Sequence, residues 1–213
     1  DYTWEVTDKQ GIKYIYGGEG AVLKGTITNA SGQSREVITE WKLKRVEETH
    51  GDYIEYVYET ADEPVRGGLV AKAIYLKEVR AGNSGQAPHT VVVLEGSKQK
   101  RLKNNNARYG FLTSSNRLLE KLTVHFQGST LRSYAFTYSE GAFNKDVLTG
   151  VKQLDDKGAE VSYQNFDYYD DVQAAKGYVP FKEKQETWNT HDDHLGAGFL
   201  NPLQFVSKAF SDK

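Results

Sequence analysis

Aromatic and polar residues alternate along this chain in short runs that double back on themselves. Trp4-Glu5-Val6-Thr7 leads through Asp8-Lys9-Gln10-Gly11 into Ile12-Lys13-Tyr14-Ile15-Tyr16. Trp41-Lys42-Leu43-Lys44-Arg45-Val46 leads through His50-Gly51-Asp52 into Tyr53-Ile54-Glu55-Tyr56-Val57-Tyr58. A third pair joins Val124-His125-Phe126 to the stretch 131–138 across Gln127-Gly128-Ser129, and a fourth turns at Asp155-Asp156-Lys157-Gly158. Strict alternation places successive side chains on opposite faces of a strand, and Asp or Gly in the turn tolerates positive φ. The pattern predicts repeated antiparallel β-hairpins.

The spacing divides the chain further. Residues 1–60 read as two long hairpins joined by Gly17-Gly18-Glu19-Gly20 and Asn29-Ala30-Ser31-Gly32, both clusters of turn formers. Residues 60–68 read as a loop, 71–79 and 90–94 as strands separated by a loop at 81–88, and the polar stretch 97–106 as an exposed loop. From 118 to 169 alternation is again tight. After Asp171 periodicity disappears, so 1–171 is expected to be one β domain and 172–213 an irregular extension with a short helix near 203–210, leading toward a following domain.

Fourteen Tyr and nine Phe against four Pro reinforce an all-β class, because wide aromatic side chains pack well on a pleated surface. The expected architecture is an open, curved sheet or sandwich-like arrangement of hairpins, long enough to bury a sizeable core. Trp4, Trp41, Tyr56, Tyr58, Tyr134, Phe136 and Tyr138 are its expected structural aromatics, with Trp41 on an inner face against Tyr56 or Tyr58. A net charge of −2 supplies no long-range field for nucleic acid or an anionic membrane. The absence of Cys excludes thiolate chemistry, and no apolar run approaches the ~18 residues of a membrane helix. The chain has no Met and opens on Asp1 beside a strand-like segment, which reads as a piece of something longer.

Candidate chemistry is sparse. The doublets Asp155-Asp156, Asp170-Asp171 and Asp192-Asp193 do not form a facing carboxylate pair by themselves, since neighbours on a strand point to opposite faces. His191-Asp192-Asp193-His194 is the densest ligand-type cluster, and His191, Asp193 and His194 are the candidate metal ligands, against a plain solvated loop. Gly17-Gly18-Glu19-Gly20 lacks the helix and third glycine of a dinucleotide site, and Gly82-Asn83-Ser84-Gly85 falls one residue short of a nucleophile elbow. His125 alternates with apolar neighbours and is expected to face solvent. Lys98, Lys100, Arg101 and Lys103 lack interleaved aromatics, which favours a solvated loop over a nucleic-acid site. No cofactor is expected.

Several phrases together resemble a known family. Trp4 to Gly11 with Tyr14-Ile15-Tyr16-Gly17 looks like the opening of the SpvB-type region of large bacterial toxins. Ile38-Thr39-Glu40-Trp41-Lys42-Leu43 followed by Gly51 to Tyr58 is similar to its next block, and Tyr75-Leu76-Lys77-Glu78-Val79-Arg80 to the one after. Arg108-Tyr109-Gly110-Phe111, Asn116-Arg117-Leu118-Leu119, and Leu131 to Tyr138 with Leu148-Thr149-Gly150-Val151 continue the order. The resemblance covers about residues 4–169 and implies the B component of Tc toxin complexes and their RHS-repeat relatives. It implies a secreted, non-enzymatic part of a β shell around a C-terminal effector, partnered by other toxin domains and subunits. No catalytic residue transfers: the Glu-x-Glu element of the ADP-ribosyltransferase branch occurs nowhere in the chain. The open edges of such a piece are expected to self-associate. Two other readings stay open, a carbohydrate-binding or adhesin-like module built on the Trp and Tyr side chains, and a metal-dependent hydrolase at 191–194.

Overall fold

The computed structural model describes residues 2–168. Ten strands form the main path of one open twelve-stranded sheet, in which nearly every strand lies beside its predecessor: β1 (Thr3–Thr7), β2 (Lys13–Gly17), β5 (Leu43–Glu47), β6 (Asp52–Pro64), β7 (Val70–Asn83), β8 (Thr90–Glu95), β11 (Lys121–Phe126), β12 (Ser129–Glu140), β13 (Asp146–Leu154) and β14 (Glu160–Asn165). All neighbours along this path are antiparallel. Between β2 and β5 the chain makes a separate two-stranded sheet of β3 (Val22–Thr28) and β4 (Ser34–Trp41). Between β8 and β11 it contributes β9 (Asn105–Asn106) and β10 (Thr113–Ser114), of which β10 pairs with β7 in parallel at Thr113 and Lys72. The described residues contain no α-helix, only a 3-10 turn at Ala142–Asn144. The all-β reading is borne out, and the sheet stays open.

Local chemistry explains the regular hairpins. In three turns, at Asp8, Asn29 and Asp155, the first side-chain oxygen accepts amides two and four residues later: Gln10 and Ile12 at 2.8 and 3.0 Å, Ser31 and Gln33 at 3.0 and 2.9 Å, Lys157 and Ala159 at 2.9 and 2.7 Å. The glycine three residues after it takes φ of 85°, 78° and 84°, a left-handed conformation that closes the turn without a Cβ clash. One chemical unit therefore reverses the chain in three places.

Several boundaries differ from the sequence reading. Residues 60–64, expected as loop, continue β6, because Thr60 through Pro64 pair with Ile74 through Val70; the turn is confined to 65–69, where the Val65 amide donates to the Leu69 carbonyl at 2.8 Å. Pro64 is tolerated as the last residue of its strand. β7 likewise runs on to Asn83 instead of ending at Val79. The first sixty residues hold a third hairpin, β3–β4, and Trp41 ends β4 opposite Val22 rather than opening the strand that carries Leu43. Lys42 is the hinge: its amide donates to Ala21 at 2.8 Å on one sheet, and its carbonyl accepts from Gly17 at 2.9 Å on the other. The extension expected over 172–213, with its helix near 203–210, lies outside the described residues.

The buried apolar residues among those described are Ala21, Val22, Leu23, Ala71, Ala73 and Leu118. None is aromatic. The sizeable core expected from chain length does not form within this sheet, because its large side chains stand on faces that nothing in the described chain seals.

Candidate interaction surfaces

Register converts the strands into two rows of opposite character. On one face Val6, Tyr14, Val46, Ile54, Ala81, Thr90 and Phe126 follow one another across seven strands. Val6 is 53% exposed, Ile54 40% and Phe126 47%. On the other face the adjacent row reads Glu5, Ile15, Arg45, Glu55, Arg80, Val91 and His125. Here charges alternate and pair: Arg80 reaches Glu78 at 2.7 Å and Glu55 at 3.5 Å, while Arg45 bonds Glu47 at 3.0 Å and lies 3.9 Å over the Tyr53 ring. Opposite charges on neighbouring strands stabilise pairing, so one face is satisfied in water and the other keeps apolar area in it.

The segment from 96 to 120 is a strap whose ends meet. Glu120 accepts the amides of Ser97 and Lys98 at 2.8 and 3.0 Å and the Ser97 hydroxyl at 2.9 Å, and these bonds, the Ser97 amide foremost, hold its carboxyl below the usual glutamate range. The middle of the strap reaches three distant elements. Phe111 lies against Gly25 of β3, at a spot where a Cβ would collide with its ring, and Ile27 lies against Gly110. The Leu112 carbonyl accepts from Lys72 of β7 at 2.8 Å, and Asp146 of β13 accepts the Arg101 amide at 2.8 Å and pairs with its guanidinium.

The fastening at β6 and β7 is a buried polar cluster. Glu63, only 4% exposed, accepts from Ser114 at 2.6 Å, from Tyr75 at 2.8 Å and from Arg117 at 3.2 Å. Tyr75 in turn accepts the Asn116 amide at 3.0 Å, and Arg117 also pairs with Glu59 while lying 4.6 Å over the Tyr75 ring. Burial alone would raise the Glu63 pKa. The bonds from Ser114 and Tyr75 and the Arg117 charge outweigh it and hold the carboxyl below its ordinary range. The sequence alone does not reveal this cluster, because Asp62-Glu63-Pro64 reads as a loop; the signal for it is the continued alternation of Glu59, Ala61 and Glu63 after Val57.

The expected structural aromatics fall in several places. Trp4, 57% exposed, meets Trp41 edge-on, with centroids 6.1 Å apart and planes at 84°. With Val6, Tyr16 and Thr39 they line an open groove of 540 Å³. Two perpendicular rings do not make the flat platform that sugar stacking uses. Tyr56 and Tyr58 project from one face of β6, and the Tyr58 hydroxyl donates to Leu43 at 2.8 Å; burial first, and then Tyr56, raises its pKa. Tyr134 stands opposite Leu122 and Gln153, Phe136 opposite Val151, and Tyr138 opposite Leu148 with its hydroxyl on the Leu119 carbonyl at 2.7 Å.

The candidate chemical residues do not converge. Asp155 caps its turn, Ser84 is exposed, and His125 is partly exposed with Nδ1 3.3 Å from the Thr130 hydroxyl. In the basic run, expected to be solvated, Lys100 donates to the Ser115 carbonyl at 2.8 Å, Lys103 to Gln99 at 2.6 Å, and Arg101 is bound to β13. No group of three or more metal-ligating side chains occurs among the described residues. His191, Asp193, His194 and the doublets at 170–171 and 192–193 lie outside them.

No protein-family model and no curated protein matches the chain. Solved structures do share its architecture. The N-terminal domain of effector protein SpvB from Salmonella typhimurium strain LT2 superposes with a TM-score of 0.53 at 16% identity, over 73% of this chain and 61% of that one. TcdB2-TccC3-TEV gives 0.52 at 16% identity, over 78% and 10%, and the Photorhabdus luminescens Tc holotoxin pore 0.52 at 17%, over 75% and 10%. The chain thus spans about three-fifths of the first structure and a tenth of the others. The resemblance read from the aromatic hairpins holds at the level of architecture: the chain has the fold of the SpvB N-terminal domain and of a stretch of Tc toxin components.

Proposed function

We propose that this chain is a non-enzymatic structural part of a large secreted bacterial toxin of the Tc/SpvB kind, a strip of β shell that encloses or delivers a C-terminal effector. The observation that carries the reading is the open sheet of the described residues, whose outer strands β1 and β14 are exposed along their whole length and whose apolar row stays half in water. A wall of this kind satisfies its backbone by strand pairing and leaves its edges and one face to be covered by what adjoins it. Its partners are then the neighbouring toxin domains and subunits. The shared fold with SpvB and Tc components supports the same assignment.

The test uses the natural gene product that carries this chain. The polypeptide encoded downstream should resist limited proteolysis while residues 2–168 are present and become sensitive when they are deleted. Equal sensitivity in both forms overturns the reading, as does glycan binding abolished by Trp4→Ala or Trp41→Ala.

A further inference from the structure

Among the described residues the sheet ends on two outer edges, β1 and β14, which have the same backbone geometry but differ in charge. On β1 the Asp8 amide donates inward to Ile12, so by alternation Thr3, Glu5 and Thr7 turn their N–H and C=O groups outward. On β14 the Phe166 amide donates inward to Thr149, so Tyr163 and Asn165 turn theirs outward. The centre of the β1 edge is Glu5. A second β1 laid antiparallel across it would set Glu5 against Glu5, a like-charge pair that opposes association.

The β14 edge carries no such guard. Val161-Ser162-Tyr163-Gln164-Asn165-Phe166 is uncharged and free of Gly and Pro, and all six β14 residues are exposed, Tyr163 at 49%. Centred on Tyr163, an antiparallel copy would pair Val161 with Asn165, Ser162 with Gln164 and Glu160 with Phe166, so no like charges meet. An uncharged stretch with an open ladder is what edge addition requires. Tyr163 is held in place for it, because its ring lies over Gly150 of β13 and fills the space a side chain there would take.

We propose that β14 is a self-complementary seam, on which a second copy of this chain docks antiparallel about Tyr163 to give a two-fold dimer with one sheet running through both copies. The inference rests on the shell reading in taking β14 as a joining edge, and it names the edge and the partner strand.

The test is the solution mass of the 213-residue chain as concentration rises, for the parent and for two charge variants. The parent should move from one to two chain masses. Ser162→Lys with Gln164→Lys, and separately Ser162→Glu with Gln164→Glu, should each remain monomeric with an unshifted unfolding midpoint, since 162 faces 164 across the seam. An equimolar mixture of the two should recover the dimer. A parent that stays monomeric, a lysine variant that still dimerises, a mixture that does not, or an open-ended series of sizes overturns the proposal. If the variants do not fold, Tyr163→Cys replaces them: with no native cysteine in the chain, it should oxidise to a covalent dimer across a Cα separation of about 5.5 Å. Glu5→Cys should not, and failure of Tyr163→Cys to crosslink overturns the seam. A monomeric parent overturns the seam alone, whereas an unprotected downstream polypeptide overturns the shell reading alone.

Discussion

The hydroxyl of Ser114 donates to the carboxylate of Glu63 at 2.6 Å across a sequence separation of 51 residues. That bond, with those from Tyr75 and Arg117, fixes the strap to the β6–β7 hairpin. Glu63→Ala should destabilise the fold by about 2 to 4 kcal/mol, because it leaves Ser114, Tyr75 and the Arg117 charge short of a buried acceptor. Denaturant midpoints measure the loss, and amide hydrogen exchange should show faster exchange over residues 104–117 than in β11 and β12.

The same carboxylate makes stability depend on pH. Its folded pKa lies below the ordinary 4.5, so between the two values the unfolded chain binds the extra proton. The stabilisation is complete above about pH 4.5 and is lost as pH falls through the folded value. Glu63→Gln should flatten this part of the acid limb. Urea midpoints followed from about pH 6 to pH 3 for parent and variant check the sign, and parallel curves would contradict it.

Trp41 is half-buried, with its indole Nε1 enclosed and without an acceptor, and its ring occupies the space beside Gly17. Trp41→Ala should cost about 3 kcal/mol, near the lower end for large aromatic truncations, whereas the exposed Trp4→Ala should cost no more than about 1 kcal/mol. Trp41→Phe removes an unsatisfied donor along with some contact area, and should stay within about 1 kcal/mol of the parent. Thermal or denaturant unfolding of the three variants ranks them, and equal losses for Trp4→Ala and Trp41→Ala would contradict the placement.

Gly25→Ala should destabilise by about 1 to 3 kcal/mol by driving a methyl group into the Phe111 ring. Combining it with Phe111→Leu should recover part of that loss, so the double variant should be more stable than the sum of the single ones. A double-mutant cycle that comes out additive would separate the two residues.

What the sequence disclosed was local. The turns at Asp8, Asn29 and Asp155 announce themselves because acceptor, amides and glycine lie within five residues of one another. The end of β6 does not: Asp62, Glu63 and Pro64 read as loop residues, and become strand only because Val70 to Lys72 lie opposite them. Trp41 misleads for a related reason. The pattern around it continues smoothly into Leu43, but the Lys42 backbone changes sheets. Gly110-Phe111 and Asn116-Arg117 could be quoted as family phrases from the sequence, yet their roles against Gly25, Ile27, Tyr75 and Glu59 depend on contacts across more than forty residues.

The meander order of the sheet also bears on how the chain comes to be folded. Apart from β3–β4 and the strap, each strand of the sheet pairs with the one made just before it. Pairing can therefore advance in the direction of synthesis, each new hairpin zipping onto a ladder already standing behind it, with a short loop closed at every step. The strap waits on a different clock. Its anchors on β3, β6 and β7 emerge early, but the one on β13 emerges 45 residues after Arg101, so the strap can be secured along its whole length only when the sheet is nearly complete.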